Sequence, residues 1–441
     1  MSKVLKVSED FKIINDSNLI ALDSFEDNSI DAIITDPPYE LGFLGKKWDS
    51  SGIAYNVDLW KKALRVLKPG GFLLAFGGTR TYHRITCAIE DAGFKIRDCI
   101  MWLYSSGFPK SHNIGLDIDK INGVESEVIG TTNAPDLQDI GLKQKALGNG
   151  HIQSFGQIEN AERIQYEIKK ARNEWNGWGT SLKPAYEPII VARKPIKDSV
   201  SRNVLKYGVG AINIDECRVG NEKDDDHFGR FPANVIHDGS EEAISGFPIT
   251  KGSDPSELGD TGFWFGDNRC DKQMSRDYED EGSASRYFYC AKASKKDREE
   301  GLDRFEEKQT TDGYIRSNSE SARKFGANSA MRKNIHPTVK PVELMQYLVR
   351  LVCPKGSTIV DIFNGSGTTG KAVAYENRER DAHYKYIGIE LQEEYCEISV
   401  ARIDYALNKY EYEAIKEKEE NAKNGQLDLF DFDWSNEGDC L

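Results

Sequence analysis

Apolar and polar positions follow strand-like and helix-like spacings over the first hundred residues. Short apolar runs at 11–15 and 31–35 predict buried strands. Apolar residues at helical spacing predict a helix over 57–67, which ends at the breaker Lys68–Gly71. A strand over 71–78, a helix over 81–93 and a strand over 94–104 complete this part. The β-α-β-α-β order is typical of a parallel, doubly wound α/β sheet.

The same rhythm returns after residue 336. The spacing there predicts a helix over 341–352, a strand over 357–363, a helix from 368, a strand over 384–390 and a long helix over 391–410. From 105 to 334 the rhythm is lost, and Gly, Asn, Asp and Ser are frequent. The strongest predicted strand of that region is 187–193, while 203–219 and 286–293 are weaker strand candidates.

Composition indicates a globular chain. Its 441 residues are 39% hydrophobic and 29% charged, which is enough for a sizeable core and for more than one domain. No apolar run reaches the roughly 20 residues of a membrane helix, and the polar N-terminus is not a signal peptide, so we expect a cytoplasmic protein. The eight cysteines form no C-x-x-C pair and are expected to be free thiols.

The net charge of −14 is unusual for a protein that binds nucleic acid. Half of this negative charge lies at residues 411–441, which hold ten acidic residues and three lysines and therefore have a net charge of −7. Basic residues are frequent from Arg286 to Lys340, which predicts either a local basic face or an ordinary solvated surface.

A glycine-rich turn near the end of the chain has the features of a cofactor loop. Gly365, Gly367 and Gly370 follow a predicted strand and let the backbone approach a ligand and turn into a helix. Asp361 lies at the end of that strand, where ligands of parallel sheets bind. Glu390 ends the next strand, and a carboxylate there can accept both hydroxyls of a ribose. The pattern predicts a nucleoside-like cofactor.

Asp36, Pro37, Pro38 and Tyr39 form a second motif, directly after the strand predicted at 31–35. Two prolines fix the backbone and remove two N–H donors, which leaves a corner rich in acceptors. Such a corner suits an exocyclic amino group, and Tyr39 offers a ring on which a planar base can stack, worth roughly 1–3 kcal/mol. The chain therefore carries a candidate amino-binding site and a cofactor loop at opposite ends.

With these two motifs, the chain resembles the DNA amino-methyltransferases that use S-adenosylmethionine, and the motif order is that of their beta group. The resemblance implies a seven-stranded methyltransferase sheet in permuted order. Asp16 matches the contact to the cofactor's adenine, and Lys340 would pair with the cofactor's carboxylate. The residues that match cofactor motifs or fit their spacing are Asp16, His336, Lys340, Asp361, Phe363, Gly365, Gly367, Thr368, Thr369 and Glu390. Ile362 and Asn364 depart from the commoner form of the loop.

Further segments are similar to phage-type members of this group. They are residues 42–49, 105–115, 177–195, 230–238 and 286–299. The resemblance implies a catalytic half over 1–110, an insert over 111–182, a closing strand over 183–195, a target-recognition region over 196–333, a cofactor-binding half over 334–410 and a disordered acidic tail over 411–441.

The implied reaction is site-specific methylation of double-stranded DNA after base flipping. Asp36 and the Pro37 carbonyl would orient the amino group, with no cysteine nucleophile and no metal ion. Adenine N6 is favoured over cytosine N4, because the cytosine enzymes of the family more often carry Ser where this chain has Asp36. The resemblance allows a homodimer but does not require one.

Two other functions remain as alternatives. Methyltransferases that act on RNA or on protein glutamine use related Pro-Pro-Tyr corners, but these usually begin with Asn and follow the cofactor loop. A catalytically silent DNA-binding protein is the second alternative, and the intact motifs argue against it. Separately, Gln426, Leu427, Leu429 and Phe430 resemble the peptide by which bacterial replication proteins bind the sliding clamp, and an acidic tail docked on its own domain is the other interpretation.

Overall fold

The computed structural model describes residues 2–42, 47–105, 107, 111–135, 163–220, 229–250, 281–291, 295–311 and 329–413. The predicted clamp-binding peptide at 426–430 and the predicted tail from 414 onward lie outside these residues. Within the described part of the chain, no helix has the length and apolar character needed to span a membrane.

A mixed sheet forms the centre of the fold and has ten strands among the described residues. In the order in which they pair, β1-β2-β16-β15-β3-β4-β8-β5-β9-β12, they are Lys3–Lys6 (β1), Phe11–Asn15 (β2), Lys385–Glu390 (β16), Thr358–Asp361 (β15), Ile30–Thr35 (β3), Leu67–Phe76 (β4), Tyr186–Arg193 (β8), Lys95–Leu103 (β5), Val235–His237 (β9) and Tyr289–Cys290 (β12). Strand β8 runs antiparallel to β4 and β5, and β1 runs antiparallel to β2. The other neighbours are parallel.

In the part of the chain that the structure describes, three small antiparallel pairs lie outside this sheet. They are Glu127–Pro135 (β6) with Arg163–Lys170 (β7), Ile249–Thr250 (β10) with Gly282–Ser283 (β11), and Lys308–Thr311 (β13) with Ser329–Arg332 (β14). The helices are Asn18–Ala21 (α1), Val57–Val66 (α2), Tyr82–Asp91 (α3), Ile114–Ile121 (α4), Val200–Tyr207 (α5), Glu241–Ile244 (α6), Lys295–Glu299 (α7), Val342–Val352 (α8), Thr368–Arg380 (α9) and Glu393–Leu407 (α10).

Helices cover both faces of the sheet, as the doubly wound prediction requires. Helices α8, α9 and α10 share one apolar cluster with the sheet, and α1, α2 and α3 share the other. The predicted α/β class is confirmed. The seven strands β2, β16, β15, β3, β4, β8 and β5 form the expected central sheet, and the short strands β1, β9 and β12 extend its two edges.

The two ends of the chain interleave in this sheet. Strands β15 and β16, from the last quarter of the chain, lie between β2 and β3, which come from the first 35 residues. Ile359 pairs with Ala32, and Glu390 pairs with Asn15. Each half of the chain therefore completes the hydrogen-bonded ladder of the other half.

Local differences from the sequence prediction have identifiable causes. Strand β4 begins at Leu67 and includes the breaker Lys68–Gly71, because a register irregularity opposite Ile30 and Ala32 accommodates these residues. Residues 203–219 were expected to be extended, but they contain the end of α5 and a 3-10 turn over Asp215–Cys217. An αL glycine at 208 ends α5, which is a helix signal that the apolar run obscured.

The predicted boundary between the cofactor half and the tail, at residue 410, lies inside packed structure. Tyr412 stacks on Tyr405 of α10 with ring centroids 5.4 Å apart. Its hydroxyl donates a 2.6 Å hydrogen bond to Asp404. The packed chain therefore continues past α10 by at least several residues.

A buried ion pair joins α8 to α9, and we expect its loss to destabilise the fold. Arg350 binds Glu376 at 2.6 Å, and the Glu376 side chain is only 1% exposed. Substitution Arg350→Met leaves this carboxylate underpaired and should lower the free energy of unfolding by about 3 kcal/mol. Urea denaturation followed by circular dichroism measures the change.

The exposed pair of Arg202 and Asp198 provides the control, since their side chains are 74% and 53% exposed. Substitution Arg202→Met should cost less than about 0.5 kcal/mol. Equal losses in the free energy of unfolding for the two substitutions would show that the buried α8–α9 pair stabilises the fold no more than an exposed pair does.

Candidate active site

Four predicted site residues lie side by side at one edge of the sheet. Strands β2, β16, β15 and β3 are adjacent and parallel, and their carboxyl ends lead to Asp16, Glu390, Asp361 and Asp36 respectively. The backbone N–H of Asp16 donates to the Glu390 carbonyl at 3.1 Å. The structure thus brings together groups that are more than 300 positions apart in the sequence.

A hydrogen-bonded junction links the first motif to the glycine loop. The hydroxyl of Thr35, directly before Asp36, donates to Asp361 Oδ1 at 2.6 Å, and the Thr369 hydroxyl donates to Oδ2 at 2.6 Å. The N–H of Phe363 donates to Asp361 at 3.0 Å. Burial raises the pKa of Asp361 to about 6, while these three donors oppose the shift. Asp361 therefore shapes the loop, since both of its oxygens already accept bonds from the protein.

The glycine loop requires two glycines for steric reasons. Gly365 has a φ of 51°, and a Cβ atom there would lie 2.8 Å from His336 Nε2. Gly367 has a φ of 78°, and a Cβ atom there would overlap the Ser399 hydroxyl. Both positions combine a left-handed backbone with a close neighbour, so only glycine fits.

The departure at Asn364 from the commoner loop sequence has a structural explanation. Its Nδ2 donates to Ser399 Oγ at 2.9 Å, and its Oδ1 accepts from the Tyr386 hydroxyl at 2.7 Å. At Ile362, the other departure, the backbone carbonyl accepts from Asn18 of α1 at 3.1 Å. Both residues are buried, so the altered loop is anchored to α10, β16 and α1.

Arg402 of α10 holds the far side of the loop. Its guanidinium donates to Ser366 Oγ at 2.9 Å and to the Thr368 hydroxyl at 3.3 Å. It also donates to the backbone carbonyl of Asp297 at 2.6 Å. Burial lowers the pKa of Arg402 to about 10, which still leaves it charged at neutral pH. One fully buried cation therefore ties the glycine loop to α7.

Glu390 and Asp16 differ in their electrostatic environment. Glu390 Oε2 accepts from the Gly365 N–H at 2.8 Å, and Oε1 accepts from the Gln392 N–H at 2.8 Å. Burial nonetheless raises the pKa of Glu390 to about 7. The Ser2 hydroxyl lowers the pKa of Asp16. Near neutral pH Asp16 is ionised, and Glu390 lies close to its own titration midpoint.

The corner after β3 is built around a buried ammonium. Lys340 Nζ lies 2.6 Å from Asp36 Oδ2 and 3.3 Å from Glu187 Oε2. The Tyr39 hydroxyl donates to the same Glu187 oxygen at 2.9 Å, and the Phe76 ring centroid lies 4.9 Å from Nζ. Asp36 Oδ1 is buried and has no hydrogen-bond partner among the described residues. One oxygen of Asp36 is therefore paired, and the other is an unused acceptor.

Burial and neighbouring charges together determine the ionisation of this corner. Burial by itself lowers the pKa of Lys340, but the carboxylates of Asp36 and Glu187 outweigh burial and raise it above the ordinary value. Burial, followed by the charge of Asp36, raises the pKa of the Tyr39 phenol. Lys340 is thus a fixed cation and Tyr39 a fixed hydrogen-bond donor.

The contacts of Lys340 differ from the sequence expectation. The resemblance assigned its ammonium to the carboxylate of a cofactor, whereas in the structure it binds Asp36 and Glu187. The physical reason is local, because these two carboxylates are its nearest counterions. Its assignment to a cofactor remains a prediction.

The turn around His336 packs against the loop from the other side. Arg298 donates to the carbonyls of His336 and Pro337, each at 3.0 Å. His336 Nδ1 lies 2.5 Å from the carbonyl oxygen of Thr338. The His336 and Tyr395 rings pack edge to face, with their centroids 4.7 Å apart. Burial lowers the pKa of His336 to about 4, so the ring is neutral at pH 7.

Sequence reasoning missed Glu187, Arg298 and Arg402 as site residues. A signal existed for Glu187, which is the charged residue at the start of the otherwise apolar β8. A signal also existed for Arg402, because it is spaced four residues from the buried Ile398 and Ala406 on one helix face. No pattern marks Arg298 among the neighbouring basic residues.

The expected basic face from Arg286 to Lys340 is partly occupied internally. Arg286 donates to Thr250 Oγ1 at 2.8 Å and to the Gly282 carbonyl at 2.6 Å. Arg298 and Lys340 also point inward, as described above. These three cations neutralise acceptors of the protein and do not form an exposed basic surface.

Neither a metal centre nor a disulfide is found in the described residues. No group of three or more His, Cys, Asp or Glu side chains there could hold a metal ion. Six of the eight cysteines lie in the described part of the chain, and all six are free thiols.

Curated relatives of the chain are DNA methyltransferases. It is 22% identical over 245 residues to the type II methyltransferase M.HindIII of Haemophilus influenzae, an alignment that covers 46% of this chain and 64% of the relative. It is 34% identical over 108 residues to M.HpaI of Haemophilus parainfluenzae, with 23% and 34% covered. The DNA adenine methyltransferase YhdJ of Escherichia coli is 33% identical over 89 residues, with 20% and 28% covered. The chain thus spans less than two thirds of these relatives.

Solved structures with similar chains include the cytosine-N4-specific PvuII DNA methyltransferase, with a TM-score of 0.38, 13% identity and coverage of 91% of this chain and 94% of that one. A complex of M1.HpyAVI with SAM gives a TM-score of 0.36, 14% identity and coverage of 89% and 98%.

The family model of the DNA methylases named N6_N4_Mtase matches residues 30–401, which include the Asp36 corner, β8, the His336 turn, the glycine loop and Glu390. This match covers most of the chain and most of the site, while Asp16 and Arg402 lie just outside its bounds. The chain therefore belongs to the N6_N4_Mtase family of DNA methylases.

Proposed function

We propose that this protein is a beta-group methyltransferase that transfers a methyl group from S-adenosylmethionine to the N6 amino group of adenine in double-stranded DNA. The observation that carries the proposal is the junction between the two motifs. Thr35 and Asp361 join the acceptor corner to the glycine loop through a 2.6 Å hydrogen bond. A target amino group at Asp36 and a cofactor at the loop would therefore be neighbours.

The residues at the loop fit S-adenosylmethionine. Gly365 and Gly367 give the loop the left-handed turns that pack it against His336 and Ser399 and end it at the start of α9. Glu390 retains lone pairs on both oxygens beyond the N–H groups it accepts, so it could hold the ribose hydroxyls. Asp16, beside it, would contact the adenine end. S-adenosylmethionine would supply a methyl group already activated on a sulfonium sulfur, so the protein needs to supply mainly position and charge.

The corner after β3 fits an amino group of a base. Asp36 Oδ1 is a buried acceptor without a partner among the described residues, and such acceptors are costly unless function retains them. An exocyclic amino group donates two hydrogens, which Asp36 Oδ1 and the Pro37 carbonyl could accept. Pro37 and Pro38 keep this corner free of competing N–H donors. Tyr39 would stack on the base ring after the base has left the duplex.

Adenine is the favoured base because the corner begins with Asp36. The relatives and similar structures include both an adenine enzyme and a cytosine-N4 enzyme, so cytosine N4 is the second candidate. The region 196–333 would read the target sequence. A silent DNA-binding role is disfavoured, since such a protein has no need for an acceptor corner hydrogen-bonded to a glycine loop.

Replacement of Asp36 tests the proposed chemistry. We expect Asp36→Ala to lower methyl transfer by at least about 100-fold, because the amino group loses its charged acceptor. Cofactor binding, measured by calorimetry, should persist. The control is Asp91→Ala, which removes an exposed carboxylate at the end of α3.

Long-read sequencing of DNA from an expressing host, scored for modified adenine and cytosine, reports activity, base and target sequence together. Modified cytosine would replace adenine in the proposal. Unmodified DNA from cells with the wild-type protein, or full activity of Asp36→Ala, would refute it.

The pKa of Glu390 predicts the pH dependence of cofactor binding. Its folded pKa is about 7, and ribose hydroxyls donate best to the ionised carboxylate. Cofactor affinity should therefore rise by roughly tenfold in total between about pH 6 and pH 8, as the carboxyl group passes from mostly protonated to mostly ionised. Calorimetric titrations at several pH values measure the slope. Glu390→Gln should flatten it, whereas Glu397→Gln, an exposed change on α10, should not. A slope that survives Glu390→Gln would assign the titration to another group.

Binding of the sliding clamp through Gln426–Phe430 is a separate proposal, supported by the sequence of that peptide alone. Alanine at Gln426, Leu429 and Phe430 should abolish capture of the protein by an immobilised bacterial clamp, since these side chains would provide the contacts. Alanine at Asn421, Lys423 and Asn424, in the same segment, is the matched control. Equal capture of both variants would exclude the peptide as the clamp-binding segment.

Sedimentation of the purified protein would test the homodimer.

A further inference from the structure

Glu187 stands apart from its neighbours on β8. Residues 188–192 of that strand are buried and apolar, whereas Glu187 is a carboxylate with a side chain only 19% exposed. Strand β8 is antiparallel to β4 and β5, so its beginning lies at the edge where the parallel strands end. This reversal places Glu187 at the active edge. No step of the proposed reaction assigns it a role.

Glu187 connects two residues of the corner. Its Oε2 atom accepts a 2.9 Å hydrogen bond from the Tyr39 hydroxyl and lies 3.3 Å from Lys340 Nζ. Lys340 in turn binds Asp36 Oδ2 at 2.6 Å. The four groups thus form one chain of charge-assisted contacts, from the phenol through a carboxylate and an ammonium to the second carboxylate. Such contacts are strong where water is excluded.

The contact to Tyr39 fixes the ring in space. A tyrosine ring is held at the Cβ end by the backbone, and here its other end is held through the hydroxyl. A Cβ atom on Gly78 would lie 3.1 Å from Tyr39 Cδ2, so that glycine closely approaches the ring edge. With both ends and one side held, the ring has a defined plane. A base that stacks on it would then be oriented as well.

The contact between Glu187 and Lys340 determines which oxygen of Asp36 remains available as a hydrogen-bond acceptor. An ammonium with a single carboxylate partner would be drawn fully to Asp36, and it could then occupy both oxygens. With Glu187 as a second counterion, Lys340 lies between the two carboxylates and engages only Oδ2 of Asp36. Oδ1 is left as an acceptor.

We propose that Glu187 is a positioning residue for the target base, which it serves by fixing the Tyr39 ring and by sharing Lys340 with Asp36. The inference rests on the proposed methylation of a flipped base and adds a residue to it. Glu187 acts through its two neighbours and is not assigned a contact with the base.

A positioning role has a kinetic signature that a purely structural role lacks. Removal of the carboxylate should lower kcat and disturb base stacking, while cofactor affinity and folding are retained, because the polar partners of Glu187 in the described structure are Tyr39 and Lys340. The effect should also depend on the Tyr39 hydroxyl. A structural role would instead lower stability and impair all functions together.

The test uses the full-length protein with Glu187→Gln, Glu187→Ala, Tyr39→Phe and the Glu187→Ala/Tyr39→Phe pair. Glu90→Gln, an exposed change on α3, is the control. The substrate is a duplex with the target sequence found by sequencing. Methyl transfer gives kcat, calorimetry gives the cofactor Kd, and 2-aminopurine at the target position reports stacking of the flipped base in the presence of sinefungin.

We expect Glu187→Ala to lower kcat by about 100-fold through misplacement of the base, and Glu187→Gln, which can still accept from Tyr39, by about tenfold. Cofactor Kd should change less than about threefold. Tyr39→Phe should lower kcat by about tenfold alone but by less than about twofold in the Glu187→Ala background, because the shared contact is already lost. Quenching of 2-aminopurine should weaken in Glu187→Ala, in Tyr39→Phe and in the double variant, and it should stay near the wild-type level in Glu187→Gln.

Wild-type kcat and quenching in Glu187→Ala would overturn the inference and leave the proposed function intact. Additive effects of the two substitutions would also overturn it. If Glu187→Ala does not fold, Glu187→Gln and Tyr39→Phe decide by the same measures, with near-ultraviolet circular dichroism as the check on folding. A wild-type protein that methylates no DNA would remove the proposed function itself, which is a different result.

Discussion

The insertion of β15 between β16 and β3 is the constraint on which the site depends. It brings Asp361 within hydrogen-bonding distance of Thr35, a residue 326 positions earlier. Loop-closure entropy grows only with the logarithm of loop length, so this long separation costs little more than a medium loop would. The ladder and the buried apolar clusters on both faces can offset that cost. Once β15 and β3 pair, the acceptor corner and the glycine loop are held in a fixed position relative to each other.

Buried charge is the second constraint, and its pattern is informative. Lys340, Arg402 and Lys371 are all buried, and each pairs with acceptors from a distant segment of the chain. Lys371 Nζ lies 2.7 Å from Glu300 Oε2, and the same oxygen accepts a 3.0 Å hydrogen bond from the Tyr375 hydroxyl. Such groups contribute little net stability compared with apolar residues of similar size, because desolvation offsets their attraction. What they provide here is fixed geometry between segments that the sheet does not connect.

The regular part of the fold could be predicted closely from the sequence. Strand β2 was predicted at its observed bounds, α8 within one residue and β16 within one residue, because period and burial agree there. The predictions failed where pairing overrode local signals. Residues 68–71 contain Pro and Gly and read as a breaker, yet the neighbouring strands hold them in β4. In α5 an apolar run concealed a helix whose cap residues, Ser199 and Gly208, were visible in the sequence.

The candidate site was predictable only as far as residues carry local motifs. Asp36, the glycines and Glu390 lie in turns with characteristic residue types, so spacing located them. Glu187 escaped because its importance comes from topology: only the antiparallel course of β8 brings the start of that strand to the active edge. A carboxylate at the beginning of a parallel strand would lie at the opposite edge, out of reach of Lys340.

Three cations in the most basic stretch of the chain face inward, which lowers the number of positive charges available to DNA. Arg286, Arg298 and Lys340 belong to the most basic stretch of the sequence, and a count of charges assigns them to DNA. Each instead donates to carbonyl, hydroxyl or carboxylate oxygens of the chain itself. Non-specific DNA affinity depends on the number of phosphates neutralised, so these cations do not contribute to it. The count of basic residues in this stretch therefore overestimates the cations that are available for phosphate contacts.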